Sequence, residues 1–206
     1  QGDIEQVLVQ FDQHGSLATT HESQGSDMGL FAGLLGWEAT DERLPGSAQA
    51  IRAAGVKVQM EIGDYGFEHP NTYRIELRNA WDRHGLTGIS TGGGMIEVVA
   101  IDGTPISLLG DYCETLIWMT GRPRENGDRL AERIGADEVL FHESADGTLV
   151  QIRAQRFLEE SEIPGLCAGG RVRYARRLGP VLPVLSRRGM SVPFSTCEQM
   201  LCCDRG

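Results

Sequence analysis

Two short runs carry groups able to bind and transform a small polar molecule. His69-Pro70-Asn71-Thr72-Tyr73-Arg74 brings together an imidazole, a carboxamide, a hydroxyl and a guanidinium, and Gly88-Ile89-Ser90-Thr91-Gly92-Gly93-Gly94 sets two hydroxyls beside three successive glycines. Proline after His69 biases that histidine toward extended backbone, and the alternation of Ile75 and Leu77 reads as a half-buried strand. The glycine run opens a second apolar strand, Met95 to Ile101. Without Cβ atoms, its backbone N–H groups can approach a carboxylate closely, with Ser90 and Thr91 at the same rim. The runs lie about 20 residues apart and meet if 78–87 is a hairpin loop. Either run alone also fits a plainer role: three glycines make a bulge or turn, and an HPNT segment makes a capping turn.

The elements that must position these groups begin with Ile4 to Phe11, where Val7, Val9 and Phe11 alternate as a strand that ends in a turn at His14-Gly15. Gly25-Ser26-Asp27 reads as the cap of an apolar helix from Met28 to Leu35, closed by Gly36-Trp37. Pro45 suits the start of a second helix, Gly46 to Ala54. Val56, Val58 and Met60 then alternate as a strand to Gly63.

These stretches resemble the β domain of iron-sulfur L-serine dehydratases. The family's GSLA-x-T turn, GHGTD loop, apolar helix and DERIP helix start have counterparts in Gly15-Ser16-Leu17-Ala18-Thr19-Thr20, Gly25-Ser26-Asp27, Leu30 to Gly36 and Asp41-Glu42-Arg43-Leu44-Pro45. Its HPN-T-x-R and S-x-GGG motifs have counterparts in the two runs above. The resemblance extends from about residue 7 to 110 and implies an α/β fold like that of allosteric-substrate-binding domains. It also implies roles: His69 and Asn71 on the substrate, Thr72 and Arg74 beside them, Ser90 and the amides of Gly92, Gly93 and Gly94 on its carboxylate, and Ser16 with the Gln24 loop as a lid. Two departures stand out. Gln24 occupies the place of the family's loop histidine, and glutamine has no base function near neutral pH. His21, three residues earlier, is the candidate replacement, against the plainer reading of a solvated loop histidine. Nothing like the family's serine-rich S-S-S-H-T segment precedes Gln1, as expected either of a sequence incomplete at its N-terminus or of one that lacks that contribution.

After the Asp102-Gly103 turn the pattern changes. A strand at Thr115 to Met119, a helix at Asn126 to Ile134, a hairpin of 139–142 and 149–153 around Ala145-Asp146-Gly147, a short helix at Phe157 to Ile163 and a strand at Val172 to Ala175 follow in order. That is the split β-α-β succession of a ferredoxin-like, α+β module. It resembles a diverged ACT domain, for which packing or ligand sensing are both expected uses. The expected units are 1–110, 111–180 and 181–206, the last a linker and a short helix, Glu198 to Cys203, resembling the start of the family's α domain.

With 206 residues and 40% hydrophobic content, the chain can bury a sizeable core. Its net charge of −10 disfavours nucleic acid and anionic membranes as partners, although the run from Arg171 to Arg188 is basic. No apolar run reaches membrane-spanning length and no secretory signal is visible, so a cytoplasmic protein is expected. Cys113, Cys167, Cys197, Cys202 and Cys203 form no C-x-x-C spacing, and no metal site is expected in this chain. The resemblance instead implies a 4Fe–4S cluster on an α-type partner subunit. A Lewis-acidic iron there activates the hydroxyl of L-serine or a related amino acid, a base removes the α proton, and a 2-oxo acid and ammonia result. An oligomer is expected. The alternative is a non-catalytic domain that senses an amino acid or scaffolds a partner enzyme, since the same fold serves as an allosteric domain in some phosphoglycerate dehydrogenases.

Overall fold

Strand β1 (Gln6–Asp12) sits inside a sheet because its alternate side chains are wholly apolar: Val7, Val9 and Phe11 are all buried. The computed structural model of the chain describes residues 3–144, 147–166 and 169–181. β1 pairs in parallel with β2 (Lys57–Gly63) and antiparallel with β3 (Thr72–Arg78). A parallel pair needs a crossover. It is supplied by α1 (Leu17–Thr20), α2 (Ser26–Leu34), a 3₁₀ turn at Leu44–Gly46 and α3 (Ser47–Ala53). Leu30 and Leu34 of α2 pack on Val7, Val9 and Phe11, and the fully buried Ser47 hydroxyl donates to the Met28 carbonyl, tying α3 to α2.

Beyond β3 the chain meanders through β4 (Arg83–Gly92), β5 (Met95–Ile101) and β6 (Thr104–Leu108), giving the order β2-β1-β3-β4-β5-β6. The hairpin loop expected over 78–87 is much shorter. β3 and β4 pair from Thr72↔Ile89 to Arg78↔Arg83, and only 79–82 turn. Gly85, Gly88 and the polar residues Arg83, His84 and Thr87 mask a strand whose pairing comes from both neighbours. β6, not expected from the sequence, forms a tight hairpin with β5 through Asp102 (φ 49°) and Gly103 (φ 75°), the left-handed pair that such turns require.

A second sheet holds β7 (Cys113–Gly121), β8 (Glu138–Ser144), β9 (Gly147–Ala154) and β10 (Gly170–Leu178) in the order β10-β7-β9-β8, every pair antiparallel. Helix α4 (Gly127–Ile134) is capped by the Asn126 side chain, which accepts from the Arg129 N–H at 3.0 Å, and it buries Leu130 and Ala131 against this sheet. Helix α5 (Ile163–Leu166) begins where the expected helix ended, because Leu158 ahead of it packs into the core from a non-helical segment. The architecture is thus α+β and mostly sheet, with α/β character confined to the β1–β2 crossover. Among the described residues no helix is long and apolar enough to cross a membrane. The expected helix Glu198 to Cys203, Cys167 and the Ala145-Asp146 turn lie outside the described residues.

The two sheets share one seam. Ile106 and Leu108 of β6 pack with Leu116 and Leu149 of the second sheet, and the Ser107 carbonyl accepts from Gln151 Nε2 at 2.9 Å and from the Arg153 guanidinium at 2.5 Å. Gln151 also donates to Glu114, whose carboxylate is buried beside Arg153. Burial pushes the Glu114 carboxyl above the usual carboxylate range, while the bond from Gln151 and the Arg153 charge pull it down. The folded chain therefore holds this proton more tightly than the unfolded chain does. That contribution to stability is complete below the ordinary carboxylate value and is lost as pH rises through the folded-state value. The melting temperature is expected to fall across that window, and Glu114→Gln is expected to flatten the fall. An unchanged pH dependence in the variant, by scanning calorimetry, would contradict the assignment.

Candidate active site

At the C-terminal end of β1 the chain turns on Asp12, whose carboxylate accepts from the His14 N–H at 2.8 Å. Gly15 then meets the loop before β3 so closely that a Cβ there would sit 2.0 Å from the Pro70 carbonyl oxygen. Glycine is required by that approach. The contact brings Ser16 onto Asn71: the Ser16 N–H and the Ser16 hydroxyl both donate to Asn71 Oδ1, each at 2.9 Å. Two motifs separated by half the first sheet thus form one surface, and the Nδ2 amide of Asn71 takes no part in this clamp.

The His69 loop is held from within. The Asn71 N–H donates to His69 Nδ1 at 3.1 Å, so Nδ1 is the acceptor and the ring proton sits on Nε2. The Thr72 hydroxyl donates to the His69 carbonyl. Thr72 is buried, and its role is to shape the loop. The Ser90 N–H donates to the Asn71 carbonyl at 2.9 Å, which aligns β4 with the same loop.

His21 and Asp27 form a second group beside this clamp. His21 Nδ1 lies 2.8 Å from both carboxylate oxygens of Asp27, and the imidazole stacks on Phe11 with centroids 4.8 Å apart and planes 15° off parallel. The Asp27 carboxylate fixes the proton on Nδ1 and leaves the Nε2 lone pair as proton acceptor. Tyr73, two residues beyond Asn71, meets Phe11 edge-on at 4.9 Å. Burial pushes the Tyr73 phenol up, the Ser26 hydroxyl opposes this, and the Asp27 carboxylate adds to it. Asp27 was expected as part of a helix cap. The cap is Gly25 (φ 76°), and Asp27 lies inside the first turn with its carboxylate aimed at His21. Capping and pairing use the same residue type, so the sequence alone does not separate them.

The remaining residues of interest fall elsewhere. Gln24 is exposed, its N–H donating to the Thr20 carbonyl. Gly92, Gly93 and Gly94 all have positive φ and make the β4–β5 hairpin turn, with nothing within 4 Å of the Cβ position at any of them. Arg74 points to the other face of β3 from Tyr73, its guanidinium 4.5 Å over the Phe67 ring. Phe11, Asp27 and Tyr73 are the site residues that the sequence reading missed.

Gly15→Ala is expected to lower stability by about 1–3 kcal/mol through overpacking. Asn71→Ala, which removes the acceptor of the exposed Ser16 N–H and hydroxyl, is expected to cost about 0.5–1.5 kcal/mol. Urea midpoints unchanged from wild type would contradict the close contact and the clamp respectively.

No family model matches the chain. It is 34% identical over 113 residues, 55% of this chain and 50% of the relative, to the probable L-serine dehydratase beta chain of Bacillus subtilis (strain 168). It is 33% identical over 112 residues, 53% of this chain and 50% of the relative, to the L-serine dehydratase beta chain of Peptoniphilus asaccharolyticus. The chain thus spans about half the length of the relatives it matches. Over that half, it is similar to the beta chains of two L-serine dehydratases.

Proposed function

We propose that this chain is the β-type subunit of an L-serine dehydratase-like lyase. The observation that supports this most directly is the hydrogen-bonded joining of Ser16 to Asn71 and of Asn71 to His69, with the His21–Asp27 pair following on the short helix after Ser16, in a chain one third identical to such beta chains over about half its length. The reaction is β-elimination, releasing water from L-serine or the β-substituent, with a proton, from a related β-substituted amino acid. The enamine product then hydrolyses to a 2-oxo acid and ammonia.

This chain's residues divide the work as follows. His69 Nε2–H and the Asn71 amide donate hydrogen bonds to the substrate carboxylate. His21 Nε2 accepts the α proton, and Asp27 orients the ring and balances the imidazolium charge. Phe11 beneath the ring restricts its rotation. Cys113 is the cysteine among the described residues, and no three His, Cys, Asp or Glu side chains among them converge as a metal site requires. These residues do not fit a 4Fe–4S cluster, no step here passes through one, and the cluster is assigned to an α-type partner. The second sheet is read as an ACT-like, ferredoxin-type module. Its order β10-β7-β9-β8, with α4 between β7 and β8, supports that reading.

A sensing role is the second reading, favoured by Gln24 in the place where the family's loop carries histidine. The chain co-purified without oxygen with an α-type subunit is expected to release 2-oxo acid from L-serine, L-cysteine or L-threonine only when both chains are present. His21→Gln is expected to lower kcat about 100-fold or more with KM nearly unchanged, and His69→Ala to raise KM. Full activity in His21→Gln sinks the base assignment. A wild-type pair that binds amino acid without turnover supports sensing.

A further inference from the structure

Strands β2 and β6 are the edges of the first sheet, and β8 and β10 those of the second. An open edge is a row of unpaired N–H and C=O groups, and folded chains blunt it with proline, charge, a bulge or a covering element. β6 carries Pro105 and lies in the apolar seam, and β8 lies against β6 and carries Glu138 and Glu143. β10 is bulged between Val172 and Tyr174 and carries Arg171, Arg176 and Arg177. β2 is different. Its 7 residues, Lys57-Val58-Gln59-Met60-Glu61-Ile62-Gly63, hold no proline, pair with β1 without a shift of register, and leave Ile62 52% exposed.

The pairing with β1 fixes which backbone groups of β2 look outward. In a parallel ladder one residue gives both its N–H and its C=O to the same neighbour, and the next gives both to the other side. The Lys57 N–H donates to the Glu5 carbonyl at 2.8 Å, and the Gly63 carbonyl accepts from the Gln13 N–H at 2.9 Å, so the odd-numbered residues of β2 face β1. Val58, Met60 and Ile62 therefore point their backbone groups away from it. An antiparallel copy of β2 across a two-fold axis at Met60 sets Met60 against Met60, Val58 against Ile62 and Gln59 against Glu61. Met60 with Met60 and Val58 with Ile62 are then the pairs that exchange both backbone bonds, about six bonds in all. The side chains match in the same register. Half-buried Val58 covers the exposed Ile62 of the other copy, Gln59 stands as a donor opposite the Glu61 carboxylate, and Lys57 lies diagonal to Glu61, within reach of a long side chain. No like charges are opposed. Glu61 is held on that face of the strand by Gln10 Nε2, which donates to it at 2.9 Å.

We propose that β2 is the interface with a second copy of this chain, the two first sheets joining through antiparallel β2 strands into one continuous sheet. The contact is isologous and closes on itself. One strand pair is a small contact, at the low end of specific interfaces, so the dimer forms reversibly as concentration rises. The inference does not depend on the lyase reading, because β2 carries none of the residues of that site.

The test is sedimentation of the 206-residue chain from micromolar to millimolar concentration, with amide hydrogen exchange read residue by residue by NMR. A reversible monomer–dimer equilibrium is expected, with exchange at Val58, Met60 and Ile62 slowing as the dimer forms. Ile62→Lys, at a half-exposed position, is expected to weaken the dimer about a hundredfold, two lost contacts of roughly tenfold each, and to leave chemical shifts away from β2 unchanged. A chain that stays monomeric throughout, a dimer in which those three amides exchange as they do in the monomer, or a dimer that Ile62→Lys leaves at full strength would each overturn the proposal. So would slow exchange at the three amides in the monomer itself, because another segment of the chain would then cover the edge.

Discussion

Phe11 is the residue on which the geometry of the site depends. It is completely buried at the end of β1, its ring carries the His21 imidazole on one side and meets Tyr73 edge-on on another, and its strand pairs with Tyr73 across the β1–β3 ladder. Burying a side chain of this size is worth about 1.5–3 kcal/mol. The same burial gives the His21–Asp27 pair a dry and rigid floor. A hydrogen bond to a carboxylate is worth most where water cannot compete for it. The dyad and the Ser16–Asn71 clamp are consequently two outgrowths of one packed position, reached by the chain on its way out of β1 and on its way into β3.

The seam between the sheets follows a different principle. The apolar part, Ile106 and Leu108 on Leu116 and Leu149, supplies non-directional attraction. The polar part supplies register. Ser107 offers one carbonyl to both Gln151 and Arg153, and Glu114 beneath them is satisfied only if both donors keep their places. A buried carboxylate with a slipped partner is costly, so the network disfavours sliding of one sheet over the other. With contact concentrated where β6 meets β7, β8 and β9, the other side of the junction stays open as a cleft that Trp118, Arg173 and His84 line.

Much of this was legible in the primary structure. The alternation of Val7, Val9 and Phe11 marks β1, the Asn126 cap marks α4, and the element order of the second sheet is readable from turn residues and apolar runs. The hairpin that brings Asn71 to Ser90 was legible too, although its loop was placed too wide. β4 and β6 were hidden for a physical reason. Gly85, Gly88 and Thr104-Pro105 have weak strand preferences of their own and extend only because paired neighbours on either side accept their hydrogen bonds. The glycine run was legible as either an anion cradle or a turn, and the chain uses it as the β4–β5 turn.

The sequence by itself determined the chemical inventory and a resemblance to L-serine dehydratase beta chains over half the chain, because residue types and motif spacing are local properties that survive without coordinates. It placed Gln24 and His21 in one short loop, three residues apart. Tertiary structure alone decided which side chains meet. Asp27 and His21 pair because α1 and α2 fold back across β1. Ser16 and Asn71 pair because Gly15 has no Cβ to hold Pro70 away, and Arg173 faces the cleft because β10 carries one residue more than its partner strand. Each of these depends on long-range packing and strand register, which no local stretch of sequence encodes alone.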